Sequence, residues 1–144
     1  MIAGAPGTTR PEELRVADLM TIDPVTVAVD ASIEEAEDLL RHHRITGLPV
    51  VDADGLLVGV ISLTDLLYLA QPTVGALIRG RESGIRVGEV MSVPPITIDT
   101  TATVRDAARA MDADRLHRLV AVDAQGRPVG VISSMDFVSL VAEG

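Results

Sequence analysis

Val58-Gly-Val-Ile-Ser-Leu-Thr-Asp65 and Val129-Gly-Val-Ile-Ser-Ser-Met-Asp136 are two versions of one segment, 71 residues apart. Extended outward at that offset, residues 16–69 align with 87–140 without a gap. Nineteen of the 54 pairs are identical, among them Met20/Met91, Pro24/Pro95, Thr26/Thr97, Ala36/Ala107 and Arg44/Arg115. An ungapped match of that length marks an internal duplication.

Each copy predicts the same elements. A short helix over 16–20 (87–91) leads through a Pro-containing turn to a strand over 25–29 (96–98). Ser32 with Glu35 reads as a capping box, and Thr103 with Asp106 as a weaker version of it. Ile33, Ala36, Leu39 and Leu40, and in the second copy Val104, Ala107, Ala108 and Met111, then form an apolar helical face. A strand over 48–51 (119–122) follows. Asp52-Ala-Asp-Gly55 and Asp123-Ala-Gln-Gly126 place Gly where positive φ is needed, joining it to an antiparallel strand over 56–62 (127–133). A helix over 64–70 (135–142) closes each copy. The class is α/β, with helices layered on small sheets. The domain reading is a flexible leader 1–14, repeats at 15–70 and 87–142, and a linker 71–86. A unit of about 55 residues has little core of its own, so the two are expected to pack together.

Composition narrows the function. Of 144 residues 47% are hydrophobic, with one Phe, one Tyr and no Trp, so the core is aliphatic. A net charge of −9 and the lack of stacking aromatics speak against nucleic acid. Without cysteine there is no disulfide, thiolate metal site or cysteine nucleophile. No apolar run approaches the roughly 18 residues that span a bilayer. The leader has no signal-peptide pattern, and the cytoplasm is the expected location. All twelve basic residues are Arg, which suits forked contacts to phosphate. No P-loop, GxGxxG, GxSxG or HExxH pattern occurs, and no spacing assembles a catalytic set. His42 and His43 adjoin on a helix about 100° apart, a poor geometry for one shared metal, so no metal site is expected.

Several residues carry two readings. Asp65 and Asp136 follow a strand at the start of a helix. There a carboxylate complements the helix dipole, or, with about four lone-pair sites, accepts hydrogen bonds from both hydroxyls of a ribose. Ser62, Thr64 and Ser133 are helix caps or phosphate donors; Met135 replaces the Thr64 hydroxyl in the second copy. Ile45-Thr-Gly-Leu-Pro49 is an ordinary strand entry or a stretch of backbone open to a base edge, since Gly and Pro leave it bare. His117-Arg118 is a solvated dipeptide or a phosphate clamp.

The element order, with Gly-h-h-Ser-x-x-Asp (h apolar) closing each unit, resembles the CBS-domain family, whose repeats occur in pairs called Bateman modules. The resemblance covers residues 16–140. The second copy, Leu116-His-Arg-Leu-Val-Ala-Val-Asp123 followed by Gly130-Val-Ile-Ser133 and Asp136, is similar to repeats of the γ subunit of AMP-activated protein kinase. The resemblance implies two tandem repeats, each β-α-β-β-α with a short leading helix, packed as one pseudo-two-fold module. It implies a non-enzymatic, regulatory, energy-sensing part that binds AMP, ADP or ATP in clefts between paired repeats, with no required cofactor. On it, Ile45, Thr46, Gly47, Leu48, Pro49, Ser62, Thr64 and Asp65 form one site. Leu116, His117, Arg118, Leu119, Val120, Ser133 and Asp136 form the other, with Arg44 and Arg115 as accessory candidates. It also implies a homodimer and an unidentified regulated protein. Two alternatives stay open: a ligand-free scaffold that serves only assembly, and another adenosyl ligand such as S-adenosylmethionine or NAD.

Overall fold

A computed structural model describes residues 14–73 and 84–143. Most of the expected linker and all but the last residue of the leader lie outside them. The described elements are α1 (Val16–Leu19), β1 (Thr21–Ile22), β2 (Val27–Ala28), α2 (Ile33–His43), β3 (Gly47–Val51), β4 (Leu57–Ser62), α3 (Leu63–Leu69), α4 (Val87–Val90), β5 (Thr97–Asp99), α5 (Val104–Asp114), β6 (Arg118–Val122), β7 (Pro128–Ser133) and α6 (Ser134–Glu143). Boundaries agree with the sequence reading to within a residue or two. The exceptions are β2, shorter than the strand expected over 25–29, and β1, which was not expected.

The chain divides into two compact units. Among the described residues the first, which carries Asp65, is 23–73 and 84–95 with 125–128; the second, which carries Asp136, is 14–22, 96–124 and 129–143. In the first, β2 runs parallel to β3 and β3 antiparallel to β4, in the order β2-β3-β4. In the second the order is β1-β7-β6-β5, with β5 parallel to β6 and β1 antiparallel to β7. The turns form as their residues dictate. Gly55 and Gly126 sit at φ 81° and 84°, and the Asp52 carboxylate accepts from the N–H groups of Asp54 and Leu56 at 2.9 and 3.0 Å.

Each unit has its own aliphatic core. Val27, Ala36, Leu40, Leu48, Val50 and Ile61 fill the first; Ala107, Met111, Leu119, Ala121 and Ile132 fill the second. What completes each core is the segment that leads the opposite repeat. Val87, at the start of α4, is fully buried in the first core, and Val16, at the start of α1, in the second. Each is worth about 1.5–3 kcal/mol of burial. Backbone bonds fix the exchange twice over: Val87 N–H donates to Ala31 (2.8 Å) and Gly88 N–H to Val29 (2.8 Å), as Val16 N–H does to Ala102 (2.8 Å) and Ala17 N–H to Thr100 (3.1 Å). Repeats drawn along the sequence as 15–70 and 87–142 therefore do not coincide with the compact units. Leu14, read as part of a flexible leader, accepts from Val104 N–H at 2.9 Å.

The two long helices end alike, at Arg44 and Arg115, in the left-handed region at φ 53° and 54°. They begin differently. Thr103 and Asp106 form a complete capping box, whereas Ser32 accepts from Glu35 N–H with no reciprocal bond. The ranking read from sequence is thus reversed. The Thr103 N–H, then its hydroxyl, hold the Asp106 carboxyl below its usual pKa.

Candidate functional site

In each unit, the loop entering the third or sixth strand meets the corner where the next strand turns into a helix. In the first unit the Thr46 carbonyl accepts from Leu63 N–H at 2.9 Å, and Gly47 pairs with Ser62 across β3 and β4. In the second, the His117 carbonyl accepts from Ser134 N–H at 2.8 Å. In each unit the strand entry and the strand-to-helix corner are thus neighbours, although 15 to 17 positions separate the paired residues in sequence.

The corner carboxylates are held in matching ways. Asp65 Oδ2 accepts from Ser62 N–H (2.8 Å) and from the Ser62 hydroxyl (3.0 Å). Asp136 Oδ2 accepts from Ser133 N–H (2.7 Å) and the Ser133 hydroxyl (3.2 Å). Both aspartates are partly buried. Their capping role therefore exists, and it occupies one oxygen of each carboxylate. The other oxygen differs. Asp65 Oδ1 accepts from the Ser92 hydroxyl at 3.2 Å, whereas Asp136 Oδ1 has no protein partner among the described residues.

The remaining predicted residues sort by exposure. Thr46 and Thr64 are exposed, as are His117 and Met135; Gly47 and Arg118 are half-buried. Burial pulls the Arg118 guanidinium pKa below its usual high value, and arginine remains a cation there. Ile45 and Leu116 are half-buried and pack against their cores. Leu48 and Leu119 are 0% and 1% exposed, so their side chains fill the core and only their backbone can face a ligand. Pro49 and Val120 are buried as well. Arg115 and Leu116 line a cavity of about 310 Å³ with Met111, Ser134 and Phe137. Asp136 is not part of its wall. His42 and His43 stack edge to face, with centroids 4.9 Å apart.

Ser92 is the residue the sequence reading missed. It stands one position after Met91, as Thr21 stands after Met20, so a hydroxyl recurs there in both copies. That recurrence was the available signal.

A sequence model of the CBS domain matches residues 16–71 and 87–143. The chain belongs to the CBS-domain family. It is 33% identical over 120 residues to inosine-5'-monophosphate dehydrogenase of Mycobacterium tuberculosis, a match covering 83% of this chain and 21% of that enzyme. The chain thus spans about a fifth of that relative's length. Among solved structures it resembles CBSX2 of Arabidopsis thaliana in complex with AMP, with a TM-score of 0.79 and 32% identity over 90% of this chain and 97% of that one. It also resembles the CBS domain pair of protein MJ0100 in complex with 5'-methylthioadenosine and S-adenosyl-L-methionine, with a TM-score of 0.77 and 28% identity over 90% and 96% of the two chains. No helix among the described residues is long and apolar enough to cross a membrane.

Proposed function

We propose that this CBS pair is a regulatory module that binds an adenine nucleotide, with Asp136 and Asp65 receiving the ribose hydroxyls. The observation that carries this reading is the repeated corner. In both units a serine fixes one carboxylate oxygen, and at Asp136 the other oxygen stays open to accept a diol. The likeness to the AMP complex of CBSX2 supports the ligand class. Phosphates would lie toward His117 and Arg118, where the first unit has only Thr46 and Gly47. No catalytic step belongs to this reading. Occupancy acts by shifting a conformational or assembly equilibrium.

A second adenosyl ligand is favoured by the MJ0100 complex. S-Adenosylmethionine presents the same ribose diol without phosphates, and the carboxylates alone do not discriminate it from AMP. Assembly as a homodimer is part of the proposal. Each unit leaves apolar helix residues exposed: Leu63, Leu67 and Tyr68 on α3, and Met135, Val138 and Val141 on α6. Two such surfaces account for a dimer better than for a monomer in water. The regulated protein would be a further partner.

Thermal unfolding with AMP, ADP, ATP, S-adenosylmethionine and NADH, each in excess, tests the ligand. A nucleotide at 100 times its dissociation constant adds about 2.7 kcal/mol per site, which at about 2–4 °C per kcal/mol is a clear rise in midpoint. The proposal expects Asp136→Ala to abolish part of that rise. A flat panel leaves the scaffold reading.

A further inference from the structure

We propose that Ser92 is a resident competitor at the first carboxylate, holding an acceptor position that a ribose diol needs. This inference rests on the reading of Asp65 and Asp136 as ribose acceptors. A carboxylate offers about four lone-pair sites, and two vicinal hydroxyls require two of them. Asp136 spends two on Ser133 N–H and the Ser133 hydroxyl and keeps two. Asp65 spends two on Ser62 and a third on the Ser92 hydroxyl. One is left. The first site accepts both hydroxyls only when Ser92 gives up its bond.

The competition is built into the unit. Ser92 is held against β4 by two backbone bonds, its N–H to Val60 at 2.8 Å and its carbonyl from Val60 N–H at 3.1 Å. Its hydroxyl therefore remains beside Asp65 whether or not the bond is made. Thr21 occupies the equivalent place in the second unit, paired with Val131, and makes no hydroxyl bond to Asp136. Because Ser92 is exposed, its hydroxyl can turn to water when displaced. Eviction is then a modest penalty on affinity rather than a block.

The test is calorimetric titration of AMP and of 2′-deoxy-AMP, in a background carrying Asp136→Ala so that only the first site remains. Should that variant fold poorly, Asp136→Asn keeps the side-chain volume and serves instead. Adding Ser92→Ala is expected to tighten AMP binding about three- to tenfold, the net scale of one solvent-exposed hydrogen bond. The gain should shrink to less than about twofold with 2′-deoxy-AMP, which offers one hydroxyl and fits the single free position. An unchanged or weaker AMP affinity after Ser92→Ala, with Asp65→Ala still abolishing binding in the same background, would overturn the role of Ser92 and leave the carboxylate reading standing. Equal gains for AMP and 2′-deoxy-AMP would likewise overturn it. AMP binding indifferent to both Asp65→Ala and Asp136→Ala would sink the carboxylate reading, and the competition with it.

Discussion

The unit carrying Asp65 and the unit carrying Asp136 share an architecture and differ at the rim of their sites. Core positions are matched: Leu48 with Leu119, Ile61 with Ile132, Ala36 with Ala107 and Val87 with Val16 are all buried below 2% exposure. Rim positions are not. Thr46 and Gly47 face His117 and Arg118 in the alignment, and Thr64 faces Met135. Pairing on β4 and β7 differs too. Thr21–Ile22 forms a two-residue strand on β7, while the first unit has only the bridge between Val60 and Ser92. Pro94 aligns with Asp23, the residue that follows β1, and it has no N–H with which to extend the ladder. Packing constrains the interior of both copies equally, which leaves the ligand-facing edge free to diverge.

If that equivalence of the interiors holds, Leu48→Ala and Leu119→Ala should each cost about 2–5 kcal/mol and agree to within about 1 kcal/mol. Urea unfolding followed by circular dichroism measures both. A large loss at one position with a negligible loss at the other would show that one unit carries the stability of the chain.

A smaller effect probes the exchanged segments. A Cβ on Gly59 would meet the Met91 side chain and lie 3.0 Å from the Ser92 carbonyl; on Gly130 it would meet Met20 and lie 2.9 Å from the Thr21 carbonyl. The methionines can move aside, but the carbonyls belong to the backbone that pairs with β4 and β7. Gly59→Ala and Gly130→Ala should therefore cost about 1–3 kcal/mol each. Unchanged midpoints would show that α4 and α1 are held more loosely than the geometry requires.

Much of this was legible in the sequence because the duplication writes each signal twice. Gly55 and Gly126 announce their turns, and the apolar spacing from Ile33 to Leu40 and from Val104 to Met111 announces the long helices. The exchange of leading segments was not legible. Val16 and Val87 are the same residue in the same context, so either could fill either slot, and only the fold decides. The site was legible in part. Asp65 and Asp136 stood out through repetition, but the side chains of Leu48 and Leu119, assigned to ligand contact, are spent on the core. A strand-entry motif does not say which face a residue takes. Ser92 escaped because its bond to Asp65 spans 27 positions and depends on the exchange.

A crystal structure of the chain grown with AMP tests the central claim most directly. The account predicts the ribose hydroxyls at hydrogen-bond distance, about 2.5–3.0 Å, from the Asp136 oxygen that Ser133 leaves open. A nucleotide whose ribose touches neither Asp136 nor Asp65 would contradict it.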